Sequence, residues 1–183
     1  MIDANIQNRT GTILDNKTGP SDCNYELRGF TCNPQKCLSR LSDKDLRKVF
    51  FERFELKTGE VITCSSKAAY HLSAFLIDTS QEKFGVIFLN GRNAFIHSDL
   101  LFEGTLTTTA VYQREIIKRA LDLNAAAIII GHNHPSGSVS PSPYDQEVTE
   151  TIKRACESVE IRLHDHLIVG YDNWFSFSDH HMI

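Results

Sequence analysis

The residues best suited to chemistry lie in one stretch, Gly131-His132-Asn133-His134-Pro135-Ser136-Gly137, continuing to Ser142-Pro143-Tyr144-Asp145. Two histidines one residue apart at the end of a strand point to the same side, so both imidazoles reach a single ion. The Pro, Ser and Gly residues of 135–143 let the chain fold back, and the helix opened by Ser142-Pro143 presents Asp145 near its N-terminus. Two neutral imidazoles and one carboxylate make a three-ligand set with a fourth position left for water. That is the layout of a catalytic zinc site rather than a closed structural one. A His-x-His pair alone occurs often in surface loops without any role. Here an apolar strand precedes the pair and a capped helix carrying Asp follows it, which favours the metal.

The elements that must position these residues can be read from hydrophobic periodicity. Ser42 caps a short helix expected through Phe54, and Thr58-Gly59 breaks it. A second helix starts at Ser65 or Ser66, with Ala69, Leu72, Ala74, Phe75 and Leu76 on its apolar side. Phe84–Leu89 reads as a buried strand, and Asn90-Gly91 as a two-residue hairpin turn. The returning strand runs from about Asn93 to His97 and resumes through Leu101 to Leu106. Thr109 caps a third helix with a stripe of Val111, Ile116, Ile117, Ala120 and Leu121. Ala125–Ile130 is a short apolar strand ending at Gly131. A fourth helix runs from Ser142-Pro143 to about Ser158, and strands at Arg162–Val169 and Trp174–Phe177 close the chain. Alternating helices and strands predict an α/β or α+β sheet with helices packed on it.

With those residues in view, the sequence resembles a known superfamily. His132-x-His134, seven residues, Ser142, two residues and Asp145 matches the H-x-H-x7-S-x2-D signature of JAMM (MPN+) metalloproteases. The strings His-Asn-His-Pro-Ser-Gly and Asp165-His166-Leu167-Ile168-Val169-Gly170 look like the RadC branch. The likeness covers about residue 60 to the C-terminus. It implies a cytidine-deaminase-like α/β fold of the MPN/JAB type, a mixed sheet with flanking helices. It also implies one Zn2+ per chain, held by His132, His134 and Asp145. Glu82, just ahead of Phe84-Gly85 and an apolar strand, has the form of the upstream glutamate of JAMM sites, which implies that it is the general acid/base. Ser142 would donate a hydrogen bond to the developing oxyanion. Each of these has a simpler reading from the residues themselves. Glu82 could be a solvated residue before a strand, with Glu103 and Glu115 as competing bases; Ser142 is equally explained as an N-cap, and Asp145 as a complement to the helix dipole. His166 reads as a histidine that supports the ligands from behind or as a structural one.

Composition bounds the rest. Hydrophobic residues make up 41% of the 183 and charged residues 23%, a balance that supports a core without structural metals or disulfides. The net charge of -4 argues against a surface that grips a nucleic-acid backbone. Five cysteines, an odd number, suit a reducing compartment, and residues 1–20 contain no signal peptide, so a cytoplasmic location is expected. The apolar runs are too short to span a bilayer. Residues 1–40 read as a polar, flexible arm, 41–59 as a short helical leader and 60–183 as the catalytic domain. The helix-hairpin-helix region typical of full-length RadC proteins is not recognisable in residues 1–60, which weakens a DNA role. The expected activity is zinc-dependent hydrolysis of a peptide or isopeptide bond, with a peptide or protein as substrate. The alternatives are a RadC-like protein of DNA repair or recombination that binds or processes DNA, and a metal-bearing scaffold module. A zinc deaminase is set aside because no C-x-x-C pair is present.

Overall fold

The computed structural model of the chain describes residues 50–76, 81–103 and 109–183. The expected arm at 1–40 and residues 41–49 of the leader lie outside them; of the rest of the leader, residues 50–54 are helical. The elements that follow are α1 (Ser65–Leu76), β1 (Lys83–Leu89), β2 (Phe95–Glu103), α2 (Thr109–Asp122), β3 (Ala127–Asn133), α3 (Pro143–Glu157), β4 (Arg162–Val169) and β5 (Trp174–Ser176).

The five strands form one mixed sheet in the order β2-β1-β3-β4-β5. β1 pairs antiparallel with both β2 and β3, whereas β3 and β4 run parallel. Parallel neighbours need a long crossover, and α3 supplies it. β3 is therefore central, paired on both edges and buried along its whole length. That explains the unbroken run Ala-Ile-Ile-Ile in place of an alternating pattern. Its odd and even positions face different cores. Ile128 and Ile130 pack with Ile116, Ala120, Val148 and Ile152 of α2 and α3, while Ala127 and Ile129 join Ala68, Leu72 and Leu76 of α1. The fold is thus an α/β domain with helices on both faces, as the JAB/MPN likeness implies.

Several local expectations change. The turn after β1 is not a two-residue Asn-Gly hairpin. Asn93 N–H bonds the Asn90 carbonyl, and Asn93 itself takes the left-handed conformation (φ 57°). This makes a three-residue loop, in which the Asn90 side chain accepts from the backbone of Arg92 and Ala94. β2 is one continuous strand: its pairing with β1 is regular through Ser98, where a break is expected, and the register shifts fall on either side, between Phe102 and Leu100 and between His97 and Phe95. Ahead of α1, Val61 makes an isolated antiparallel bridge with Ala94. β3 continues past Gly131 to Asn133 because β1 pairs with it as far as His132 and β4 as far as Asn133. Leu121, assigned to the buried stripe of α2, is 52% exposed. Of the cysteines, Cys156 is a buried free thiol, whereas Cys64 is disulfide-bonded, contrary to the expectation of reduced thiols.

Gly131 marks a close approach. A Cβ there would lie 2.6 Å from Leu72 Cδ1 and 3.0 Å from the Leu167 carbonyl, so only glycine lets α1 sit this tightly on the strand that carries His132. Among the described residues, no helix is long and apolar enough to cross a membrane.

Candidate metal centre

His132 is the penultimate residue of β3 and His134 follows the strand directly. Their carboxyl-terminal position, where the chain leaves a parallel strand for its crossover helix, is where α/β sheets commonly bind ligands. The alternation of the strand aims both rings towards the first turn of α3. His132 Nε2 lies 2.9 Å from His134 Nε2 and 3.2 Å from Asp145 Oδ1, and His134 Nε2 lies 3.6 Å from Asp145 Oδ2. Ligands about 2.0–2.1 Å from a tetrahedral zinc ion stand about 3.3 Å apart, so these three spacings fit the edges of such a site. Glu82, ahead of β1, joins them: it, His132 and His134 each offer a ligand atom within 4.8 Å of the others.

The donor chemistry agrees. His134 Nδ1 donates to the Ser138 carbonyl at 2.7 Å, so Nε2 is the nitrogen left to face His132, Asp145 or a metal. Two ring nitrogens 2.9 Å apart need a proton or a cation between them. Asp145 beside His134 pushes the imidazole pKa up, hydrogen bonding first and against the pull of burial. Burial pushes the Asp145 carboxyl up, but hydrogen bonds from His132 and His134, with Ser142 adding to them, outweigh it and hold the group far below the ordinary carboxylate range. The carboxylate is therefore ionised at any physiological pH. An anion and two imidazoles converging in a mostly buried corner fit a divalent cation.

Ser142 is the N-cap of α3. Its hydroxyl accepts from Asp145 N–H at 3.2 Å and donates to Asp145 Oδ2 at 2.7 Å, while Asp145 Oδ2 also accepts from Ser142 N–H at 2.7 Å. This capping box fixes the carboxylate that faces the histidines, so the cap and the candidate ligand are one device. Of the competing glutamates, Glu115 sits on α2 and pairs with Arg114 at 3.6 Å, and Glu103 ends β2 with its backbone opposite Lys83.

Two groups escape a reading by spacing. Asn133, between the histidines, turns to the other side of the strand. Its Oδ1 accepts from Lys83 N–H at 2.7 Å and its Nδ2 donates to the Gln81 carbonyl at 3.1 Å. Those are the two neighbours of Glu82, so Asn133 clamps the segment that presents the glutamate. Thr149, one helical turn beyond Asp145, bonds the Asp145 carbonyl at 2.5 Å and His166 Nδ1 at 2.6 Å. His166 Nε2 in turn meets His132 Nδ1 at 2.9 Å. His166 is fully buried and stacked on Phe177, and burial holds its pKa well below the ordinary value. The i+4 spacing from Asp145 was the signal that could have found Thr149.

Known proteins carry the same domain. Residues 62–182 match the family profile described as RadC-like JAB domain. A UPF0758 protein of Photobacterium profundum is 46% identical over 124 residues, 68% of this chain and 55% of that protein. A UPF0758 protein of Vibrio cholerae is 42% identical over the same shares. UPF0758 protein YeeS of Escherichia coli (strain K12) is 43% identical over 125 residues, 68% of this chain and 84% of YeeS. The matched region spans about half the length of the Photobacterium and Vibrio proteins. A mixed sheet with flanking helices, a histidine pair at the end of its central strand and this profile together lead to one conclusion: the chain belongs to the RadC-like JAB domain family.

Proposed function

We propose that this domain is a zinc-dependent hydrolase that cleaves a peptide or isopeptide bond, with one Zn2+ held by His132, His134 and Asp145. The observation that carries the reading is the convergence of two imidazole Nε2 atoms and a fixed carboxylate at 2.9, 3.2 and 3.6 Å, with Glu82 beside them. Bound there, zinc supplies Lewis acidity, acidifying water and polarising an amide carbonyl. Glu82 is the general acid/base: its carboxylate accepts a proton from the attacking water and delivers it to the departing nitrogen, so that the broken C–N bond ends as a carboxylic acid and an amine. Asn133 holds the backbone on either side of Glu82 and limits its reach to the two histidines. Ser142 donates to the oxygen on which negative charge develops, and to do so its hydroxyl must turn away from Asp145 Oδ2. Asp145 keeps the Ser142 backbone N–H when that happens.

The test is elemental analysis of the purified chain beside the His132→Ala/His134→Ala variant, followed by turnover of peptide and isopeptide substrates by the wild type and Glu82→Gln. About one zinc per wild-type chain, lost from the double variant, is expected, with Glu82→Gln retaining zinc and losing turnover by at least about 100-fold. A wild type that takes up no zinc from excess metal, or a Glu82→Gln variant of undiminished turnover, would overturn the reading.

A further inference from the structure

Behind the candidate ligands runs a chain of short contacts that returns to its starting residue: Asp145 carbonyl, Thr149 hydroxyl, His166 ring, His132 ring, and then the His132 nitrogen that faces the Asp145 carboxylate. All of these side chains are at most 4% exposed. Each of the first three contacts requires one hydrogen, and counting hydrogens settles their order. A carbonyl oxygen has none, so the 2.5 Å contact between Thr149 and Asp145 uses the threonine proton. The 2.6 Å contact between Thr149 Oγ1 and His166 must then use a proton on His166 Nδ1. A neutral imidazole has only that one, so the 2.9 Å contact between the rings takes its hydrogen from His132 Nδ1. His132 Nδ1 is therefore protonated, and Nε2, the nitrogen directed at His134 and Asp145, is the one left to take a metal in place of the proton that otherwise bridges to them.

We propose that Thr149 and His166 are positioning residues that set the tautomer of His132 and thereby make its Nε2 a ready metal ligand. The inference rests on His132 serving as a ligand, as in the reading above. Metal-bound histidines usually donate their second N–H to a carboxylate, a carbonyl or water. Here the acceptor is a second histidine, and an imidazole can present either a donor or an acceptor at Nε2. It therefore needs its own ordering group, which the Thr149–Asp145 contact provides. Were His166 to carry its proton on Nε2, it would donate to His132 Nδ1 and drive the His132 proton onto the metal-facing nitrogen.

The experiment pairs zinc affinity, measured by competition with a chromophoric chelator, with imidazole tautomers read from long-range 15N–1H spectra of the metal-free protein at pH 8. His166→Phe keeps a ring against Phe177 but offers no acceptor, and Thr149→Val keeps the shape of the side chain without its hydroxyl. His166→Gln places a carbonyl oxygen where the acceptor is needed, and Thr149→Ser keeps the hydroxyl. Zinc binding is expected to weaken by about 10- to 100-fold in His166→Phe and by a smaller factor in Thr149→Val, with the Gln and Ser variants close to wild type. In the wild type both His132 and His166 should carry a proton on Nδ1, whether or not His132 Nε2 also holds one in the absence of metal. Folded His166→Phe with wild-type affinity, His166→Gln as weak as His166→Phe, or a His132 that lacks the Nδ1 proton would each overturn the proposal. Failure of the hydrolase reading is separable: a wild type without zinc sinks that reading, while the tautomer spectra still decide the relay.

Discussion

Three buried ionisable residues show how the same burial leads to different charge states. Asp145 accepts enough hydrogen bonds to remain an anion, whereas His71, buried between Leu56 N–H and Ser98, is pushed down to about 4 by burial and stays neutral. Asp165 goes the other way: burial pushes its carboxyl up to about 6 despite hydrogen bonds from Ser176 Oγ and the backbone N–H groups of Ser178 and His166. Between the ordinary carboxylate value near 4 and 6, the native protein holds a proton that the unfolded chain has released. Stability attributable to Asp165 therefore falls as pH rises through that window and stays lower above it. Asp165→Asn removes the titration and keeps an acceptor for the backbone N–H groups. Its unfolding free energy relative to wild type should rise by on the order of 2 kcal/mol between pH 4 and 6.5 in urea titrations. A difference that does not change with pH would disprove this account.

At the scale of elements, the site depends on two chain ends meeting: the carboxyl end of β3 and the start of β1. Asn133 makes that junction through Gln81 and Lys83, and α3 closes it through the Ser142–Asp145 box. Asn133→Leu should leave zinc affinity within a few-fold of wild type, because the Asn133 side chain is engaged with Lys83 and Gln81 on the other side of the strand. It should lower kcat by about 100-fold, since a displacement of about 1 Å of a catalytic group costs that much. Steady-state kinetics on the zinc-loaded protein beside a chelator competition would separate the two effects, and a proportional loss of zinc would show that the clamp serves the metal instead. The helix α3 was legible from its ends, because Ser-Pro at the start and Asp at N3 are local signals. The end of β3 was not: strand length there is set by pairing with Phe84 on one side and Val169 on the other.

For the whole molecule, metal and fold are coupled because the ligands come from elements that meet only in the native state. His132 and His134 flank the end of β3, Asp145 opens α3 and Glu82 precedes β1. Zinc at 100 times its dissociation constant should stabilise the fold by about 2.7 kcal/mol. For a domain of this size that is a rise in Tm of roughly 5–10 °C. Differential scanning calorimetry with zinc and then with excess chelator checks it. The His132→Ala/His134→Ala variant should show no shift, and an equal shift in that variant would place the bound metal elsewhere.

The sequence alone determined what is local: the His-x-His pair after an apolar run, the capped helix bearing Asp145, the strand at Arg162–Val169 and the alternation that predicts an α/β sheet. These follow from side-chain periodicity and backbone capping, which act over a few residues. Only the tertiary structure placed Glu82 beside the histidines and Glu115 beside Arg114 on α2, because the two differ in strand order and helix packing rather than in local pattern. It alone joined Thr149 and His166 to His132, across 17 and 34 residues of chain, and clamped the neighbours of Glu82 with Asn133 across about 50. Such contacts depend on the sheet order and the seating of α3, which no short window of sequence contains.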